Sequence, residues 1–251
     1  MSVSSTDKGL LTPDNCAVIF VDYQRQLFLG GTDGEWKELL KSGLLLAKAA
    51  KMFAVPVILT VVESGEFDGA LAPQLTALFP GQPVIQRSSL NAWDDPGFVA
   101  AVRRTGRRNF VLAGLWSEAC VVFPALQMLE EGYGIYAVKD ASRGTEPAAQ
   151  DMALRRLEQA GGVSVTALQV LLEFQRDWGR AEHCAEVTSL VKERCAGYSR
   201  GQEHPVTSDN PAAGGRRTGS QPRTEPNEHR REERTYGDDA CGAGYEPKGE
   251  V

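Results

Sequence analysis

The residues of greatest chemical potential in this chain are a cysteine, an aspartate and an arginine, each at the end of an apolar run. Cys120 lies in the turn L-W-S-E-A-C, directly after the apolar segment N-F-V-L-A-G-L. Ser117 in that turn is a natural helix N-cap, which sets Cys120 in the first turn of the helix that follows. Unpaired backbone N–H groups and the positive end of the helix dipole meet there. Both favour a thiolate, so the thiol pKa is expected to fall toward neutral. The backbone N–H groups of Ala119 and Cys120 would also form an oxyanion hole for a tetrahedral intermediate. A free cysteine is equally one of the most buried residue types, and position alone leaves both readings open.

A nucleophilic thiol needs a proton acceptor. The three histidines are His183, His204 and His229, all C-terminal to the regular strand and helix pattern. A Ser-His-Asp or Cys-His pair on a core sheet is therefore excluded, as is a histidine-based catalytic zinc or iron site. Asp22 ends the run A-V-I-F-V-D and is the obvious acceptor, its other reading being a cap on the following turn. Arg87 ends P-V-I-Q-R and would hold carboxylate and thiolate in a defined charge state. On spacing alone, a solvated surface arginine is the commoner case. Neither GxGxxG nor GxxxxGK[ST] follows a strand, so dinucleotide and P-loop nucleotide binding lack support. No cofactor and no metal are expected.

The elements that must position these residues alternate. Strands are predicted at 17–22, 56–63, 83–87, 109–115, 134–141 and 163–166, as short β-branched runs bounded by turn residues. Helices are predicted at 35–53, 71–79, 95–105, 117–131, 147–159 and 168–178. Gly43 inside the first of these costs about 1 kcal/mol of propensity. Strands separated by helices imply βαβ units, hence an α/β fold: a Rossmann-like three-layer α/β/α sandwich with a mainly parallel sheet. In such folds the site lies outside the carboxyl ends of the strands. That rule independently selects Asp22, Glu63, Arg87, residues 115–120 and Asp140.

The chain has 251 residues and a formal net charge of −6. That balance offers no basic stripe for nucleic acid. No apolar run approaches the roughly 20 residues of a bilayer crossing, and the first residues show no signal-peptide pattern. No membrane partner and a cytoplasmic location are expected. The five cysteines are odd in number, scattered and without a CxxC pair, which argues against a disulfide framework or structural zinc. Residues 199–251 are rich in Gly, Pro, Arg and acidic residues and are expected to form a disordered charged tail. Residues 1–198 would form the folded domain.

The ordered motifs resemble the isochorismatase-like cysteine hydrolases. N-A-W-D-D-P-G-F-V-A-A-V, A-G-L-W-S-E-A-C-V-V-F-P-A-L, E-E-G-Y, K-D-A-S and R-D-W resemble the YcaC-like branch in particular, over residues 11–198. The resemblance implies a catalytic set of Asp22, Arg87 and Cys120. Many relatives carry lysine where this chain has Arg87; an arginine keeps its charge, so the proton would fall to Asp22 alone. It also implies a non-proline cis peptide near Trp116–Ser117, and a homo-oligomer. The histidines of zinc nicotinamidases are absent, and members that cleave isochorismate's vinyl ether lack the cysteine. The implied reaction is hydrolysis of a small amide, carbamate or nitrile C–N bond through a thioester-type or thioimidate intermediate. Trp93, Trp116, Ser117 and Phe123 are the expected pocket residues for this small-molecule substrate, Trp116 being bulkier than the family position suggests. The alternatives are a redox-responsive thiol protein and a non-catalytic assembly protein on the same fold.

Overall fold

The computed structural model describes residues 9–28, 31–63, 65 and 69–195. The expected tail, with the boundary after residue 198, lies outside the described residues. Six strands, β1 (Cys16–Val21), β2 (Val57–Val62), β3 (Val84–Arg87), β4 (Asn109–Gly114), β5 (Gly134–Val138) and β6 (Val163–Val165), form one sheet. Its order is β3-β2-β1-β4-β5-β6. All five pairings are parallel, which is the doubly wound arrangement the alternating pattern predicts. β1 and β4 are buried at every position. Burial on both faces explains why they read as unbroken apolar runs rather than alternating ones.

The helices are α1 (Asp33–Met52), α2 (Pro73–Thr76), α3 (Pro96–Arg104), α4 (Val122–Glu130), α5 (Pro147–Gln159), α6 (Ala167–Gln175) and α7 (Cys184–Arg194). One sheet face presents Ala17, Ile19, Val21, Phe110, Leu112, Ile135 and Ala137 to Phe98, Val102, Ala125, Met128 and Leu157 from α3, α4 and α5. On the other, α1 packs beside α6. Gly43 in α1 is there for contact: a Cβ would come within 2.6 Å of the Tyr23 ring, so the propensity loss admits a buried tyrosine.

Expected elements differ in places. The helix predicted over 71–79 contracts to the four residues of α2. The helix predicted over 117–131 begins instead as a turn of π-helix, Ser117–Val121, before α4. The strand predicted over 134–141 stops at Val138 and ends in a 3-10 turn, Lys139–Ala141. The described residues up to Asp177 form one compact unit, and a second begins at Trp178. Among the described residues the second unit contains α7, a helix that periodicity did not predict, although Cys184, Val187 and Leu190 recur at threefold spacing and are buried. Cys184 is disulfide-bonded; the scattered spacing argued only against a disulfide framework.

Candidate active site

The sheet order reverses between β1 and β4, and a crevice forms where such neighbouring strands send their connections to opposite faces. The chain brings those two carboxyl ends unusually close. Gly114 ends β4, where a Cβ would lie 2.6 Å from the Val21 carbonyl oxygen. Only glycine fits that approach without shifting backbone. Directly beyond Val21, Asp22 turns out of the sheet with φ 56°, a left-handed conformation that aspartate tolerates better than most residues.

The Asp22 carboxylate is fully buried. Oδ1 accepts the Val62 N–H at 2.7 Å, and Oδ2 accepts Arg87 Nη2 at 2.7 Å. Both side chains of this ion pair are excluded from solvent. Arg87 Nη1 also donates to the Ser89 carbonyl, so backbone from the loop after β3 fixes the guanidinium. β3 thus delivers Arg87 inward at its last position while its earlier residues stay partly exposed. The surface-arginine reading of Arg87 does not hold.

Cys120 is fully buried beside Asp22 and Arg87, whose charges both act on its thiol. The structure therefore brings Asp22, Arg87 and Cys120 together. It does not lower the thiol pKa as a helix start would. Burial pushes the thiol well above the ordinary thiol range, the Asp22 carboxylate pushes the same way, and Arg87 opposes them. Loss of hydration outweighs the helix dipole here, because a thiolate with no water contact depends on its neighbours alone. The resting pair is a protonated thiol facing a carboxylate.

The expected oxyanion hole also differs. Trp116 takes φ 50° and ψ 58°, and its carbonyl accepts the N–H groups of Ala119 at 2.9 Å and Cys120 at 2.8 Å. Both donors are engaged by the left-handed turn that reverses the chain. That turn also replaces the expected cis peptide, since no cis bond occurs among the described residues.

The four expected pocket residues separate. Ser117 is buried, its N–H donating to the Arg143 carbonyl at 3.2 Å while its hydroxyl has no hydrogen-bond partner. The Trp116 indole donates to the Leu27 carbonyl at 3.0 Å and packs against Leu27, Phe28, Leu39, Val62 and Leu115. Trp93 packs on the core cluster that includes Cys120 and Val121. Its ring meets Phe98 and Tyr133, and its indole N–H donates to Glu131 at 2.9 Å. Glu131 follows the last residue of α4, a helix of nine residues, which places that contact about 13 Å along the axis from the Cys120 turn. Phe123 is 37% exposed on α4 and belongs to the surface.

Sequence reasoning missed Gln24. It is fully buried, and its amide nitrogen donates to the Val62 and Gly69 carbonyls at 3.0 and 2.6 Å. Its place in D-Y-Q-R-Q gives no sequence signal of burial; once buried, the amide demands partners. Among the described residues, no group of three or more His, Cys, Asp or Glu side chains is arranged to hold a metal ion. No helix among them is long and apolar enough to cross a membrane.

Comparison with known proteins shows the family and the fold. The model of the isochorismatase domain matches residues 16–169. "Probable hydrolase YcaC" of Escherichia coli (strain K12) is 39% identical over 169 residues, covering 67% of this chain and 81% of that protein. The crystal structure of the Escherichia coli YcaC gene product, described as an octameric hydrolase of unknown specificity, superimposes with a TM-score of 0.70 at 34% identity. It covers 76% of this chain and 93% of the other. YcaC from Pseudomonas aeruginosa, solved with hexane-2,5-diol and covalent acrylamide, gives a TM-score of 0.70 at 33% identity over 78% of this chain and 96% of its own. With the parallel sheet, the switch-point crevice and these matches, the chain belongs to the isochorismatase family of hydrolases, in its YcaC-like branch.

Proposed function

We propose that this protein hydrolyses a small C–N substrate, an amide, carbamate or nitrile, with Cys120 as nucleophile and Asp22 as its acid and base. The observation that carries the reading is the sealed Asp22–Arg87 ion pair at 2.7 Å with the Cys120 thiol against it. Because the resting thiol is protonated, attack and proton transfer are coupled. The thiol proton moves to Asp22 as sulfur bonds the acyl carbon. For an amide, collapse of the tetrahedral adduct breaks the C–N bond, and Asp22 returns the proton to the departing amine. Water then attacks the thioester, gives one proton to Asp22, and releases the acid as the thiol regains its own. Arg87 cannot relay protons; it holds the Asp22 carboxylate in place and stabilises developing negative charge. The Ala119 and Cys120 N–H groups join only when the Trp116 carbonyl gives way.

The covalent acrylamide in the Pseudomonas aeruginosa relative is in keeping with a reactive nucleophile on this fold. The octameric Escherichia coli relative supports a homo-oligomer, for which exposed Phe123 and Met152 are available apolar surface. A screen of small amides, carbamates and nitriles against wild type and Cys120→Ala tests the reading. Turnover lost in the variant is expected. Equal rates in both proteins would remove Cys120 from the chemistry.

A further inference from the structure

We propose that the Gln24 amide oxygen is a substrate-binding acceptor that selects compounds bearing an N–H at the reacting carbon, primary amides and carbamates, over nitriles and esters. This rests on Cys120 being the nucleophile.

The argument starts at Val62, the last residue of β2. Its N–H goes to Asp22 Oδ1 and its carbonyl accepts from Gln24 Nε2. The N–H and C=O of one strand residue point toward the same neighbour, here β1. Where β1 ends, the Asp22 carboxylate and the Gln24 amide therefore take over its pairing with β2, side by side. The orientation of the Gln24 amide is fixed as well. Its two N–H donors are both used, on the carbonyls of Val62 and Gly69, and a flipped amide would set oxygen against two oxygens.

The Gln24 oxygen is left over. It is buried and has no hydrogen-bond partner, and the same holds for Arg87 Nε and the Ser117 hydroxyl. Buried polar atoms without partners cost stability, and native proteins keep few of them. Nine such atoms occur among the described residues, and four of them belong to residues at the carboxyl ends of the strands. One of the four, Glu118 Oε2, faces Gly144 and Gln150; the other three are the Gln24, Arg87 and Ser117 atoms. They differ in what they can select. Arg87 Nε only donates, and amide, ester and nitrile all offer it an acceptor. The Ser117 hydroxyl donates or accepts, so it discriminates nothing alone. The Gln24 oxygen only accepts, and of these substrates only those carrying an N–H satisfy it. A site built to hydrogen-bond a substrate group rejects the analogue lacking it, because the protein atom then stays unpaired.

The test uses butyramide, methyl butyrate and butyronitrile, which share one carbon skeleton, with wild type, Gln24→Met and Gln24→Glu. Gln24→Met should lower kcat/KM for butyramide about 10- to 100-fold while methyl butyrate changes less than about threefold. Gln24→Glu sets an oxygen against the Val62 and Gly69 carbonyls and loses the fixed acceptor, so it should lower the amide-to-ester ratio as Gln24→Met does. The ratio within one variant is independent of its folded fraction, so partial unfolding does not imitate the effect. Parallel loss on amide and ester in Gln24→Met would make Gln24 merely structural and overturn the proposal alone. Wild-type hydrolysis of the nitrile or ester in preference to butyramide overturns it without any variant. Turnover of none of the three, with no acyl group on Cys120 by mass spectrometry, overturns both this proposal and the hydrolase reading beneath it.

Discussion

Two fully buried cysteines stand at opposite ends of the same strand pair. Cys16 opens β1 at the amino end of the sheet, level with Asn109. Cys120 follows the carboxyl end of β4. Burial pushes the Cys16 thiol up to about 12, with Arg107 opposing, and its proton points at the Thr12 carbonyl at 3.2 Å. Burial pushes the Cys120 thiol up in the same way, but its neighbours are a carboxylate and a guanidinium already paired to each other. A carbonyl can hold a thiol proton but cannot take it; a carboxylate can. The difference between an inert thiol and a candidate nucleophile lies in the partner, not in the degree of burial.

Substitution at each cysteine is the sharpest way to break the contrast. Cys120→Ala should lower kcat on the best substrate by about 10³-fold or more, since no other group replaces a covalent nucleophile. Cys16→Ala should leave kcat within about twofold, as it lies at the opposite end of the strands from Cys120. Steady-state rates on one amide settle both, and comparable losses would dissolve the distinction.

The partner comes next. Asp22→Asn should cost about 10²- to 10⁴-fold in kcat, the usual worth of a positioned acid and base. It should also destabilise the fold by about 3–5 kcal/mol, because the Arg87 charge stays buried without its counter-ion. The exposed pair Arg103–Glu131, 3.5 Å apart with side chains 63% and 40% exposed, gives the reference. Arg103→Ala should shift urea stability by less than about 1 kcal/mol. A small stability change in Asp22→Asn would mean that water reaches Arg87 in solution.

The two ends of the sheet can also be compared through their glycines. At Gly114 a Cβ meets backbone, the Val21 carbonyl at 2.6 Å, whereas at Gly134 the nearest atom is the side-chain tip of Asn109 at 2.3 Å. Gly114→Ala should therefore destabilise by about 1–3 kcal/mol and lower activity as well, because it pries apart the strand ends carrying Asp22 and the Cys120 turn. Asn109 can swing aside in Gly134→Ala, which should keep wild-type activity. Thermal unfolding with rate assays on both variants checks this, and equal activity losses would remove the special role of the switch-point contact.

Much of this was legible in the residues themselves. Unbroken apolar runs ending in Asp22 and Gly114 marked central parallel strands, and the alternation with helices required the crevice at their carboxyl ends. Burial of Arg87 was not legible, because the surrounding β3 residues are partly exposed and the run looks like an edge. The capping logic at Ser117 failed for a defined reason. It assumes a regular helix start, and the left-handed Trp116 substitutes a turn whose own carbonyl takes the N–H groups. Gln24 was passed over because its task, closing the exposed end of β2, exists only once the strand order is known.

The smallest expected effect tests the feature the two cysteines share. An unfolded thiol loses its proton near 9.0, while native Cys16 keeps it to about 12. The native state therefore binds the extra proton between those values. This contribution to stability is fully present below pH 9 and is lost as pH rises from about 9 to about 12, at up to about 1.4 kcal/mol per pH unit. Buried Tyr23 and Cys120 are raised as well and add to the same decline. Cys16→Ala should flatten the wild-type slope of urea stability between pH 9.5 and 11 by about 1 kcal/mol per unit. Any packing loss shifts the line without tilting it. Cys120→Ala should flatten it similarly, and identical slopes in all three proteins would show that neither thiol is shielded from water. Matched alkaline slopes with unmatched catalysis would separate what burial does to a thiol from what Asp22 does to it.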